Sequence, residues 1–337
     1  MIPYVRACRL AGALSLLFLL GACSLAPQST RLQQTSPFQL PSRWELSDTP
    51  FFAQSRYQCG PAALATVLTY RGVSAVPDTL VDKVYLPERE GSVTVEMEAA
   101  ARGYGMLVYP LAQKLESMLS EIAAGNPVLV LQNLGFDWWP RWHYAVVVGY
   151  DLTAGTFVLR SGVTQRYVVS MGVFETTWRR AGYWARVILP PDAIPASAEP
   201  LNYVKAALAL EQSAQETAAL SAYRAATGHW PNSAFAWLAR GNLAYRLGKD
   251  EEAEASFRFG LKAEPADAAL WNNLAYVLAR RQCGPQALAA VQCAIALAPN
   301  IPEYRDSLQE LTAAGGGAGA CKAVICPLPE TVQTNRE

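Results

Sequence analysis

The chain has 337 residues, about half of them apolar, which at roughly 150 residues per domain leaves room for two compact domains and too much for one simple core. Lysine plus arginine and aspartate plus glutamate both number 28, so no net field draws the chain onto nucleic acid or an acidic membrane surface. Two histidines and scattered cysteines offer no metal-ligand spacing, and nothing in the composition calls for a cofactor.

Residues 1–22 open with Arg6 and Arg9 and continue in an apolar run from Leu10 to Leu20, the layout of a secretory signal and too short for a comfortable transmembrane helix. The run ends in Leu20-Gly21-Ala22-Cys23, which resembles the lipobox of bacterial lipoproteins. The resemblance implies that Cys23 carries the lipid and becomes the new amino terminus, and that Ser24 after it favours the outer membrane, facing the periplasm. Residues 23–50 are expected to be a tether, with no structure from 24 to about 45, because Ser, Thr, Gln and Pro dominate there without apolar periodicity.

Residues 51–190 read as an α+β domain, helices first and antiparallel strands after. Helices are expected at Cys59–Tyr70, Thr94–Arg102 and Gln113–Ala124. Short runs rich in Val, Leu and Tyr, at Pro127–Leu134, His143–Asp151, Phe157–Ser161, Arg166–Ser170 and Trp184–Leu189, are the strands. Trp138, Trp139 and Trp142, just before His143, are expected to pack rather than to wall a groove.

The proline cluster of residues 191–200 is the linker. After it, Trp237 and Trp271 lie 34 residues apart, as do Pro231, Pro265 and Pro299, and Ala219, Ala253 and Ala287. Tyr223, Phe257 and Val291 keep the same step. A period of 34 residues with these columns resembles the tetratricopeptide repeat. Residues 201–313 then form an all-α solenoid, with Ile301–Ala313 as its cap, whose groove takes a protein or peptide partner. Gly315-Gly316-Gly317 starts a flexible tail over 314–337.

Export permits disulfides. With Cys8 in the signal, Cys23 lipidated and Cys59 reserved for chemistry, Cys283, Cys293, Cys321 and Cys326 remain. Cys283 and Cys293 on one helix would stand ~15 Å apart, beyond the ~7 Å reach of a bridge. Any bridge therefore involves the tail, and the pairing stays open.

The chemistry concentrates in Gln54-Ser55-Arg56-Tyr57-Gln58-Cys59-Gly60-Pro61, where a cysteine stands at the start of a helix. Free amides and the positive end of the dipole stabilise a thiolate there, and cysteines so placed reach pKa values of ~3.5 to 7.5 with a histidine's help. His143 opens a strand and is the available base, since His229 belongs to the repeats. Gln54, with the Cys59 amide, is placed to hold an oxyanion.

The stretch Q-x-x-x-x-C-G-P-A-A-L followed by H-Y-A-V-V-V-G-Y-D resembles the bacteriocin-processing, double-glycine-leader branch of the papain-like cysteine peptidases. The resemblance spans Phe51 to Leu189 and extends to Phe174-Glu175-Thr176-Thr177-Trp178 as the closing helix. It implies Cys59 as nucleophile, His143 as base and then acid, Gln54 in the oxyanion hole, and peptide hydrolysis through a thioester. One position departs: the family's Asp or Asn followed by Pro is here Ser161-Gly162. A serine hydroxyl accepts from an imidazole N–H but does not stabilise imidazolium as a carboxylate does. Asp151, at the far end of the strand that His143 begins, lies ~27 Å away if that strand is straight. Two readings follow: an anchored peptidase whose repeats recruit substrate, or a catalytically silent adaptor whose repeats carry the function.

Overall fold

The computed structural model describes residues 26–34, 40–53, 58–86, 88, 91–317, 319 and 321–327, so Cys23 and Gln54 lie outside the described residues. The chain divides near residue 190 into two units, with Pro195–Ser197 counted in the first.

The first unit is built around a seven-stranded sheet in the order β4-β9-β5-β6-β7-β8, with β1 pairing β6. Its strands are β1 (Arg43–Glu45), β4 (Leu107–Pro110), β5 (Val128–Asn133), β6 (Trp142–Asp151), β7 (Thr156–Ser161), β8 (Thr164–Ser170) and β9 (Ala185–Leu189). A separate two-stranded ribbon joins β2 (Tyr85–Leu86) and β3 (Gly91–Ser92). The helices are α1 (Pro27–Gln34), α2 (Cys59–Tyr70), α3 (Pro77–Val84), α4 (Thr94–Gly103), α5 (Leu115–Ala123) and α6 (Met171–Arg180).

The longest strand, β6, organises the sheet. β5 pairs antiparallel along its first half, from Asn133 opposite Trp142 to Val128 opposite Val147. β1 pairs with its last three residues, Arg43 opposite Asp151 through Glu45 opposite Gly149. A Cβ at Gly149 would lie 2.9 Å from the Trp44 carbonyl oxygen, so only glycine lets β1 approach so closely. β7 lines the other edge, with a register shift between Val147 and Gly149. Tyr144 to Tyr150 are all buried, as a strand covered on both faces requires. Across from them, Gly60 through Leu68 of α2 are buried, and Pro61 occupies the first turn, where no intrahelical N–H is needed.

Two expectations are corrected here. Residues 24 to 45 are not structureless, since Pro27–Gln34 is helical and Arg43–Glu45 is a strand. The carboxylate of Glu175, fully buried on α6, accepts the Gln28 N–H at 2.9 Å and the Ser29 N–H at 2.7 Å. A buried anion at the open amino end of a helix satisfies donors that would otherwise be orphaned and meets the positive end of the dipole. The local sequence hides this because the partner is 147 positions away. The second correction concerns the tail, which is fastened rather than free over its described part, as set out below.

The second unit holds α7 (Pro200–Gln212), α8 (Glu216–His229), α9 (Ala234–Arg246), α10 (Asp250–Ala263), α11 (Ala268–Arg280), α12 (Gly284–Leu297) and α13 (Glu303–Ala314). The repeat is physical as well as numerical. Trp237 Nε1 donates to the Pro231 carbonyl and Trp271 Nε1 to the Pro265 carbonyl, each at 2.8 Å. Ala219, Ala253 and Ala287 are buried in step, as are Tyr223, Phe257 and Val291. Arg246 pairs with Glu216, and Arg280 pairs with Asp250, one period on. Each element thus repeats its contacts, and stacking supplies the core that one helix pair lacks.

Beyond α13 the chain turns back on α12. Gly284 N–H donates to the Gly317 carbonyl at 3.1 Å, and a Cβ on Gly316 would lie 2.3 Å from the Gly284 Cα, so the crossing admits only glycine. Disulfides join Cys283 to Cys321, with Cα atoms 6.0 Å apart, and Cys293 to Cys326, with Cα atoms 5.6 Å apart. Both bridges involve the tail, as the spacing on α12 demands.

Two measurements follow. Removing either bridge by Cys321→Ser or Cys326→Ser is expected to lower the unfolding free energy of the repeats in urea by about 2–4 kcal/mol. Glu175→Ala leaves buried N–H donors unpaired, a loss of about 1–3 kcal/mol, and opens residues 26–34 to limited proteolysis that spares the parent chain.

Candidate active site

Cys59 is the first residue of α2, following Gln58 at the cap. It is half-buried and, among the described residues, is the only cysteine not in a disulfide. The backbone amides of Tyr144 on β6, of Gly60 and of Cys59 itself face its sulfur and favour its charged form. The approach of the ribbon fixes this end of the helix, because a Cβ at Gly60 would sit 2.2 Å from Ser92 Oγ. Glycine at position 60 is therefore a steric requirement of the site and not a flexible joint.

His143 precedes Tyr144 on β6 and stands opposite Gln132 of β5. Its Nε2 lies 2.8 Å from Ser161 Oγ. Ser161 closes β7, paired with Thr164 across the two-residue turn Gly162-Val163, where Gly162 takes φ of +58°. A positive φ at the first central position is the geometry such hairpins select. The turn therefore pins the hydroxyl at the end of the ladder, within reach of the imidazole. If Nε2–H donates to the hydroxyl, Nδ1 keeps its lone pair and can take a proton; in the other tautomer it cannot.

The fold brings His143 onto Ser161 and the residue next to His143 onto Cys59. Asp151 takes no part, since it ends β6 and its Oδ1 accepts the Ala154 N–H at 2.8 Å.

The electrostatics differ from the expected activated thiolate. Burial raises the Cys59 pKa above its ordinary value of 9.0, and the three amides oppose this without cancelling it. Burial likewise lowers the His143 pKa from 6.5. Desolvation of the charged forms outweighs the helix terminus, so thiol and imidazole both rest neutral at pH 7.

The tryptophans depart from expectation too. Trp138 is 77% exposed and Trp139 67%, with Phe136 and Trp142 also exposed, so packing does not account for them. They sit on an extension of the β5–β6 hairpin. Leu134 N–H donates to the Arg141 carbonyl, and Phe136 and Trp139 exchange both backbone bonds at 3.1 Å. Asn133 Oδ1 accepts from the amides of Gly135 and Arg141, each at 2.9 Å, and Arg180 Nη1 donates to the Gly135 carbonyl at 2.7 Å. No sequence rule predicts a run of exposed rings held by a built hairpin; Asn133 and Gly135 are its local signals.

Residues 46–185 match the family model of the Peptidase_C39 like family. The match covers most of the first unit and under half of the chain. No curated protein matches the chain. Among solved structures, a protein from Bacillus anthracis assigned as a C39-like peptidase is 18% identical, over 44% of this chain and 97% of its own, with a TM-score of 0.37. The first tetratricopeptide repeat domain of Spaghetti (RPAP3), bound to an HSP90 peptide, is 16% identical over 34% of this chain and 91% of its own, with a TM-score of 0.33. YrrB, a tetratricopeptide protein with an unusual peptide-binding site, is 25% identical over 34% of this chain and 59% of its own, with a TM-score of 0.31. Scores this low say nothing about activity.

The charge states give a pH test with two signs. A lowered histidine pKa means that stability present above pH 6.5 is lost as pH falls through the folded-state value, because the unfolded chain takes up the proton first. A raised cysteine pKa means that stability present below pH 9.0 is lost as pH rises through the folded-state value. In urea titrations from pH 5 to 10 the parent should show both arms, His143→Gln a flattened acid arm and Cys59→Ser a flattened alkaline arm.

Proposed function

We propose that the protein is a lipid-anchored, periplasm-facing cysteine peptidase that hydrolyses peptide bonds through a Cys59 thioester, with its repeats recruiting a protein or peptide substrate. The observation that carries the reading is the arrangement of Cys59 at the open end of α2, its sulfur faced by the Tyr144 amide, with the neighbouring His143 held by Ser161. The family match over residues 46–185 supports the class of chemistry.

In this reading His143 acts as a base from the neutral state. With Nε2–H turned to Ser161 Oγ, Nδ1 takes the thiol proton as the sulfur attacks the scissile carbonyl, and later returns it to the leaving amine. Developing oxyanion charge falls to the Cys59 amide and to Gln54. Water then opens the thioester with His143 again as base. A proton taken during attack, rather than a pre-formed ion pair, suits a buried thiol and a buried imidazole.

Lipidation at Cys23 and export rest on the amino-terminal sequence, and the two disulfides of the repeats support an oxidising compartment. The repeats' capacity to take a partner follows from stacked helix pairs, which present one extended face.

A second reading, a silent adaptor, is favoured by one combination: the raised thiol pKa and a serine where a carboxylate would stabilise imidazolium. Labelling by a thiol-directed electrophile across pH, alongside hydrolysis of a peptide library, separates the two. A peptidase gives product that Cys59→Ala abolishes and His143→Ala cuts by at least a hundredfold, while Ser161→Asp speeds Cys59 labelling at neutral pH. If no peptide is cut and Ser161→Asp changes nothing, the adaptor reading stands.

A further inference from the structure

The exposed aromatic hairpin is not used by the chemistry above. Leu134, Phe136, Trp138, Trp139 and Trp142 all present large apolar surface to solvent. Phe136 and Trp138 stack with ring centroids 5.6 Å apart, and Trp139 meets Trp138 edge-on at 5.9 Å. The ribbon, the Asn133 bonds and the Arg180 bond fix the backbone beneath them, so little conformational freedom remains to be lost on contact. A rigid apolar patch of this kind marks an interaction surface.

We infer that this hairpin lies in the interface of the lipid bilayer to which the chain is anchored, an inference that rests on the reading of Cys23 as the lipidated residue. The first support is chemical. Indole combines apolar area with an N–H that remains wet, and tryptophan collects for that reason at the depth of lipid headgroups. The exposed Arg141 at the base of the hairpin suits the phosphate layer.

The second support is the length of the tether. Ala26 is three residues from Cys23, a span of at most roughly 11 Å when fully extended. Ala26 and Ser29 lie against Gly172 of α6, and the Gln28 and Ser29 amides are bonded to Glu175. Further along the same helix, Arg180 grips the hairpin through the Gly135 carbonyl. From Gly172 to Arg180 is ~12 Å at 1.5 Å per residue. One short helix therefore carries the root of the lipid anchor near one end and the aromatic hairpin at the other. With α6 lying along the bilayer surface, a chain held at α1 by so short a tether has the rings within reach of lipid.

Because Trp142 and His143 are consecutive on β6, such docking sets the candidate active site beside the membrane, where a membrane-associated peptide would reach it.

The test separates the hairpin from the anchor. The chain from residue 23 onward, carrying Cys23→Ser, is floated with vesicles of phosphatidylethanolamine and phosphatidylglycerol, with and without Phe136→Ser, Trp138→Ser and Trp139→Ser together. Unacylated chain is expected to float, and the triple variant to partition at least tenfold more weakly while keeping its circular dichroism and melting temperature. If the parent fails to float, or the variant floats equally well, the inference is overturned. An unchanged flotation with a raised KM for peptide hydrolysis also overturns it, and makes the hairpin a substrate wall. Mass spectrometry of wild-type chain reads the acyl group at Cys23 separately, so loss of the anchor reading and loss of the hairpin contact are distinct results.

Discussion

The contact between the first turn of α2 and the first residues of β6 is the constraint on which the first unit depends. One backbone N–H, that of Tyr144, reaches the Cys59 sulfur, and this requires a strand end and a helix start to meet with nothing between them. Glycine at 60 admits Ser92 on one side of the meeting point, and glycine at 149 admits β1 further along the same strand. The buried run from Tyr144 to Tyr150 then leaves His143 as the first residue of β6 with a polar role, at the rim where the strand leaves the core. The order of burial along β6 thus decides where the imidazole stands.

That same burial sets the character of the pair. Free amides at a helix terminus lower a thiol pKa, whereas removing a charge from water raises it, by several units in the extreme. Here the second effect prevails for Cys59 and its counterpart prevails for His143. A carboxylate at position 161 would have shifted the balance toward imidazolium; a hydroxyl orients the ring and leaves its charge alone. Both shifts favour the uncharged forms, so burial works against a thiolate–imidazolium pair at rest.

Much of this was legible in the sequence, and what was not has a common cause. α2 was read as Cys59–Tyr70 because an uninterrupted apolar run begins just after a proline suited to a first turn, and both facts are local. β5 and β6 were read to within a residue or two for the same reason. The repeats were legible because identical packing recurs at a fixed offset. By contrast, β1 is three residues of mixed character whose strand geometry comes from β6, and α1 is a polar octapeptide held by Glu175. β4 and α3 are too short to show a period. The thiol's raised pKa escaped as well, since a residue's hydration depends on what the rest of the fold puts over it. At Ser161 the position of the hydroxyl is a local matter, because the turn that sets it is written in Gly162-Val163 beside it.

The bridges from α12 to the tail impose an order on maturation. Cys283 and Cys293 must wait for partners 38 and 33 residues downstream. A ribosome delivers those partners only after the whole of α12 and α13. A chain halted before residue 321 would therefore carry all the repeat helices and neither bridge.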